Sequence, residues 1–303
     1  MRFVDPKNDV AFKKIFGDEN HKEVLISFLN AVLGLQGEHE IADIQILNPY
    51  QAPRLEFLKY TLLDIQATDK RGVTFIVEMQ VEEIEGYKKR FQYYAAKAYA
   101  GQIERGEDYP KLNQVIFIGI LNFMAFESKA YLSRHFILNL ETKEQDLRDI
   151  EFYFIELPKF KKSETELATL LDKWIYFIKH APNLQIIPEN TNTAGLQSAY
   201  AIAERFRWSR QEMEVYDYWS MKLQDERGAI AVATRRAEQL GETRGEARGE
   251  ARGLETGRKE GDKAGRIAAA RAMLADGMEA AMVAKYTGLN VADVTELPTT
   301  PEQ

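Results

Sequence analysis

The chain has 303 residues, 45% of them hydrophobic and 29% charged, with no cysteine and a net charge of −7. These values leave room for one large domain or two smaller ones. They exclude disulfides, thiolate metal centres and nucleic-acid binding through bulk charge alone. No apolar run approaches the roughly 20 residues of a membrane helix. The opening MRFVDPKNDVAFKK carries charges where a signal peptide would be apolar, so a reducing cytoplasm is the expected compartment.

Residues 8–33 read as helical. Asn8 can cap, Val10, Phe12, Ile15 and Phe16 have helical spacing, and a second helix follows residues 17–20 and ends at Gly34. Residues 41–47 form a short strand candidate and 48–53 a turn. Residues 59–81, KYTLLDIQATDKRGVTFIVEMQV, then read as two strands joined tightly. Residues 82–103 are helical by spacing, with Tyr87, Arg90, Phe91, Tyr94, Ala98 and Gly101 along one side. The continuous apolar run 115–121 reads as a central strand, and 135–140 and 152–157 as further strands. Two amphipathic helices, 165–179 and 194–208, flank the proline-containing stretch 182–188. Residues 1–160 thus surround one sheet, and 163–225 add a helical cap.

The hairpin holds the most specific information. Side chains alternate along a strand. One face carries Thr61, Leu63, Ile65 and Ala67 with Val73, Phe75, Val77 and Met79; the other carries Leu62, Asp64, Gln66 and Thr68 with Thr74, Ile76, Glu78 and Gln80. Both apolar sets reach one core only across an odd loop. Lys70, Arg71 and Gly72 supply it, with glycine in the left-handed position. Asp69 then pairs with Val73, and Asp64 falls opposite Glu78. Opposed like charges destabilise a sheet, so buried acids kept there ask for a cation between them. Two converging carboxylates suit Mg²⁺, a hard ion that keeps waters and takes phosphate oxygens.

From residue 227 the chain changes character. Gly241, Gly245, Gly249, Gly253, Gly257, Gly261 and Gly265 recur every four residues. In a helix, Glu242, Glu246 and Glu250 would form one stripe and Arg244, Arg248 and Arg252 the opposite one, with no internal pair at spacing three or four. A solvated spacer is one reading; acid-to-base pairing of two such helices, giving a homo-oligomer, is the other. After Arg266, the spacing of Val283, Ala284, Gly288, Leu289, Val294 and Leu297 suits a helix-turn-helix, with Asn290 capping its second helix at 291–297. That helix carries Asp293 and Glu296 and no basic residue, which favours a docking module over DNA contact.

No serine elbow or phosphate-cradling glycine loop occurs, and the four histidines lack ligand spacing. Asp64, then Glu78-Met79-Gln80, then a helix with Arg90 and Tyr94 resembles the PD-(D/E)XK nuclease superfamily. The opening Asp9-x-x-Phe12-Lys13-x-x-Phe16-Gly17, the IFIGILNF strand and the glycine-rich tail with Thr287-Gly288-Leu289 are similar to its Rpn branch of recombination-promoting nucleases and transposases. The resemblance covers most of the chain. It implies an α/β, restriction-endonuclease-like core, which the organisation read above places with its helical cap over residues 1–225, before a repeat spacer over 226–265 and a helical, helix-turn-helix-like tail over 266–303. It also implies a Mg²⁺-dependent DNA endonuclease.

Carried over residue by residue, Asp64, Glu78 and Gln80 are catalytic, with Asp64 and Glu78 holding the metal. Asp9 is an auxiliary acid at the metal, and Arg90 and Tyr94 bind substrate. Asp9 as a helix N-terminal charge and Arg90 paired with Glu82 or Glu83 are the structural alternatives. Gln80 stands where the superfamily usually has lysine, and Leu63 where it has proline. An amide orients water or phosphate but brings no charge. A non-catalytic relative that binds DNA or a protein is the competing expectation. A glycosidase is disfavoured, because the hairpin face offers no aromatic platform.

Overall fold

The computed structural model describes residues 2–47, 50–51, 61–189 and 191–298, and it divides into two compact units, residues 1–223 and 224–303. In chain order the first unit runs α1 (Asp9–Phe16), α2 (Lys22–Leu33), β1 (Ile44–Leu47), β2 (Tyr50–Gln51), β3 (Thr61–Leu62), β4 (Ile65–Asp69) and β5 (Thr74–Gln80). It continues with α3 (Tyr87–Ala100), β6 (Val115–Leu121), β7 (Leu132–His135), β8 (Ile150–Glu156), α4 (Leu170–His180) and α5 (Ala194–Ala203). The long helix α6 (Arg210–Ala275) begins here, and its residues from Gln224 belong to the second unit with α7 (Ala280–Thr287) and α8 (Val291–Thr295).

Six strands form a mixed sheet in the order β1-β4-β5-β6-β8-β7. β5, β6 and β8 run parallel at its centre, and the remaining pairings in it are antiparallel. All seven residues of β6 are buried, as a central parallel strand covered on both faces requires. Ile116, Ile118 and Ile120 face the core shared with α1, α2, α4 and α5. Val115, Phe117 and Leu121 face a second core under α3, with Phe91, Ala95 and Phe154. Gly119 fits between them because Phe154 lies across it: a Cβ there would stand 2.7 Å from the ring. The first unit is therefore a restriction-endonuclease-like α/β layer structure, and α4 and α5 join the core of α1 and α2.

Local chemistry explains several element ends. Asn8 caps α1 through its side-chain oxygen, which accepts from the Val10 and Ala11 amides, and left-handed Gly34 closes α2. Several expected boundaries move. The strand expected at 41–47 begins at Ile44, and that expected at 135–140 is Leu132–His135. The helix expected from residue 82 begins at Tyr87, after Gly86 with φ +79°. The helix expected over 165–179 starts at Leu170, where Thr169 and Asp172 form a capping box; that expected over 194–208 stops at Ala203. Within the expected turn at 48–53, Tyr50–Gln51 pairs with Thr61–Leu62 in a separate two-stranded sheet; residues 48–49 and 52–53 lie outside the described residues.

In the second unit the glycine repeat is helical and residues 224–266 are exposed on every side. Ala270, Val283, Ala284 and Val294 make a small core, and Gly288, with φ +70°, turns between α7 and α8. Asn290 occupies the N-cap position of α8 but makes no side-chain capping bond, a departure from the expected cap. No helix among the described residues is long and apolar enough to cross a membrane.

Candidate functional site

The β4–β5 turn fixes the site. The Asp69 carboxylate accepts from the Arg71 and Val73 amides at 2.9 and 3.0 Å, so the acid holds the loop from inside. Gly72 adopts φ +84°, a left-handed conformation that side chains disfavour. The Asp69 amide donates to the Val73 carbonyl, and the register then runs Thr68 to Thr74 and Ile65 to Val77. One further step sets Asp64 across from Glu78, as the parity of the apolar residues requires.

The strand does not continue through that step. It bends at Leu63 and Asp64, so the expectation of one continuous first strand is corrected. Leu63, expected beside Ile65, is instead buried with Ile76 and Phe91 in the core under α3. The acids themselves account for the break. The Asp64 amide donates to Glu78 Oε1 at 3.0 Å, and the Met79 amide donates to Asp64 Oδ2 at 2.8 Å. Glu78 thus takes the amide of Asp64, and Asp64 the amide next to Glu78, where a ladder would bond carbonyls.

Both acids lie in a low-dielectric setting. The Asp64 side chain is 16% exposed and Glu78 is 6% exposed overall. Burial pushes the Asp64 carboxyl up to about 6; the Met79 amide and Lys13 oppose this, and Asp9 adds to it. Burial also holds Glu78 well above the ordinary range, followed by the Asp64 charge, with the Asp64 amide, Arg90 and Lys13 pulling down. Burial and the Glu78 charge likewise raise Tyr94, which places that phenol within the field of the pair.

Two cations converge on the acids from separate helices. Lys13 Nζ of α1 lies 2.7 Å from Asp9 and 3.7 Å from Asp64. Burial lowers its pKa, but Asp9, Asp64 and Glu78 together outweigh that and raise it. Arg90 of α3 packs its guanidinium 5.7 and 5.9 Å from the ring centres of Phe91 and Tyr94. It donates to Gln80 Oε1, while Gln80 Nε2 donates to the Glu82 carbonyl at 2.7 Å. Both ends of the amide are engaged, and its clearest task is to hold Arg90. Arg90 Nε is buried with no hydrogen-bond partner among the described residues.

Asp64, Glu78, Gln80, Arg90, Tyr94 and Asp9 are therefore brought into one neighbourhood. Lys13 joins them and is the residue that sequence reasoning passes over, although its spacing of four from Asp9 on a helix places both on one row. Among the described residues no three His, Cys, Asp or Glu side chains stand together as an ion cage. Asp9 is bound to Lys13. The donor set nonetheless fits a hard divalent cation: two opposed carboxylates offer oxygens, and water and substrate oxygens complete the shell of Mg²⁺-type ions.

A family model described as PD-(D/E)XK nuclease family transposase matches residues 6–233, and a second, described as the C-terminal HTH domain of the Rpn/YhgA-like nuclease family, matches residues 264–299. No curated protein and no solved structure matches the chain.

Proposed function

The chain belongs to the PD-(D/E)XK nuclease family transposases, and from that premise we propose that it hydrolyses DNA phosphodiester bonds at Asp64 and Glu78, with Mg²⁺, in the cytoplasm and in recombination or mobile-element transfer. One observation carries this reading: the buried Glu78 carboxylate of β5 faces the part-buried Asp64 carboxylate just before β4, Glu78 accepting from the Asp64 amide and Asp64 from the Met79 amide. That arrangement is costly without a cation and well suited to one. Bound between these oxygens, Mg²⁺ would polarise the phosphodiester and make its water more acidic.

The protein's own groups orient the rest. Arg90, whose guanidinium donates to Gln80 Oε1 at the edge of the acid pair, would offer further donors to a non-bridging phosphate oxygen. Gln80 fixes that guanidinium, and Tyr94 walls the site. Water attacks phosphorus, a new P–O bond forms, and the bond to the leaving sugar oxygen breaks. The water releases one proton, and the leaving oxygen ends protonated. Asp9 stands behind Lys13 as the auxiliary acid.

A non-catalytic DNA- or protein-binding relative is the second reading, favoured by the full engagement of the Gln80 amide where a lysine is usual. The tail match supports a DNA-contacting or docking role for residues 264–299, and the exposed repeat supports self-association. Supercoiled plasmid incubated with and without Mg²⁺ separates these readings. Wild type should relax or linearise it only with the metal, and Asp64→Ala and Glu78→Ala should lose activity by at least about 100-fold. Equal residual cleavage in all three sinks the assignment to this site. Intact binding without cleavage supports the second reading.

A further inference from the structure

The Gln80 amide gives the site no positive charge, yet an ammonium lies within it from another element. Lys13 is contributed by α1, 67 positions before Gln80 in the sequence, and lies 2.7 Å from Asp9 and 3.7 Å from Asp64. An ammonium has three donors. Asp9 engages one, and Asp64 at 3.7 Å lies within ion-pair range but beyond hydrogen-bond reach, so donors remain for a substrate oxygen. The half-buried stem lies beside the acid pair, and the Asp9 carboxylate steadies the head one helical turn away.

Charge balance gives the lysine a task. Asp9, Asp64 and Glu78 carry three negative charges when ionised. Arg90 and one divalent cation cancel them, leaving a neutral site. Lys13 supplies the single surplus positive charge, which complements one phosphodiester and the charge that gathers on its oxygens during attack. Without Lys13, a site already lined by carboxylates has no net attraction for the phosphate.

We propose that Lys13 is a catalytic residue, donating from α1 to a non-bridging phosphate oxygen and taking the electrostatic part that position 80 cannot. The inference rests on the nuclease reading above. Lys13 keeps its proton and forms no covalent bond.

The absence of cysteine makes a direct chemical test available. In the 303-residue chain, Lys13→Cys introduces a lone thiol. Alkylation with 2-bromoethylamine restores an ammonium one sulfur removed from lysine, whereas iodoacetamide leaves a neutral group of similar reach. Single-turnover cleavage of a duplex should fall on the order of 100-fold in Lys13→Cys. It should return toward the wild-type rate with bromoethylamine, stay low with iodoacetamide, and be partly retained in Lys13→Arg. Mn²⁺ affinity, titrated without DNA, should be unchanged or tighter in Lys13→Cys, because an ammonium near the acids has been removed.

Wild-type rates in unalkylated Lys13→Cys, or equal recovery with both reagents, overturn the proposal. So does failure of bromoethylamine to restore activity, or a loss of Mn²⁺ affinity as large as that of Asp64→Ala. A wild type that leaves all DNA uncut removes the nuclease reading, and this inference with it; a cutting wild type with an unimpaired Lys13→Cys removes this inference alone.

Discussion

Asp64 is held ready to ionise but is not comfortable doing so. Its pKa stands near 6 in the fold against 3.8 for the ordinary group, chiefly through burial. A carboxylate raised on folding favours the folded state while protonated. Its contribution is complete below the ordinary pKa and is lost as pH rises through about 6. Asp64→Asn keeps an oxygen to accept the Met79 amide and removes the charge. The variant should therefore be more stable than wild type above that pH, by roughly 3 kcal/mol, with the gain vanishing in acid. Denaturant midpoints across the pH range measure it; a variant less stable at neutral pH would contradict the burial argument. Gln80 acts one bond further out. Gln80→Ala and Arg90→Ala should each lower kcat/KM for DNA by roughly tenfold, and the double variant by little more than either alone, because the amide works through the guanidinium.

The hairpin is where sequence and structure agree most closely, and where they part. Its register followed from parity: an odd loop was the one way to bring Ile65, Ala67, Phe75 and Val77 to one core, and they meet there. The same rule failed for Leu63. Parity assumes an unbroken ladder, and the hydrogen bonds that break it come from the carboxylates of Asp64 and Glu78 themselves. Sequence periodicity cannot report a bend imposed by side-chain oxygens. Lys13 escaped for another reason: its contact with Asp64 joins α1 to the hairpin, and local spacing carries no information on such a long-range approach. The late start of α3 reflects left-handed Gly86, whose conformation periodicity does not encode. The turn offers its own test. Gly72→Ala must hold alanine at φ +84°, with its Cβ 2.8 Å from the Asn113 side chain. A stability loss of about 1–2 kcal/mol is expected from the left-handed conformation, read from urea midpoints with an unchanged slope. No loss would mean the loop had changed its geometry, and with it the register that opposes the acids.

At the scale of the molecule, the two compact units assign different burdens to the two halves. Residues 1–223 contain the two larger cores and every residue of the candidate site, so a chain ending at Leu223 should keep a cooperative unfolding transition and divalent-metal binding. Loss of both would show that the site depends on the rest of the chain. Residues 224–266 have no core of their own, and their acid and arginine stripes are fully exposed. If those stripes pair between copies, the 303-residue chain should associate with increasing concentration and the truncated chain should not, as sedimentation velocity would record; association should weaken with salt.

Asp64, just before β4, and Glu78 of β5 stand opposed to hold a cation. Calorimetric titration of Mn²⁺ into wild type, Asp64→Asn, Glu78→Gln and the double variant tests it most directly. One saturable site should appear in wild type, each single variant should bind at least about tenfold more weakly, and the double variant should show no saturable binding, since every lost carboxylate removes a charged oxygen ligand. Undiminished binding in the double variant would place the metal elsewhere and contradict the account.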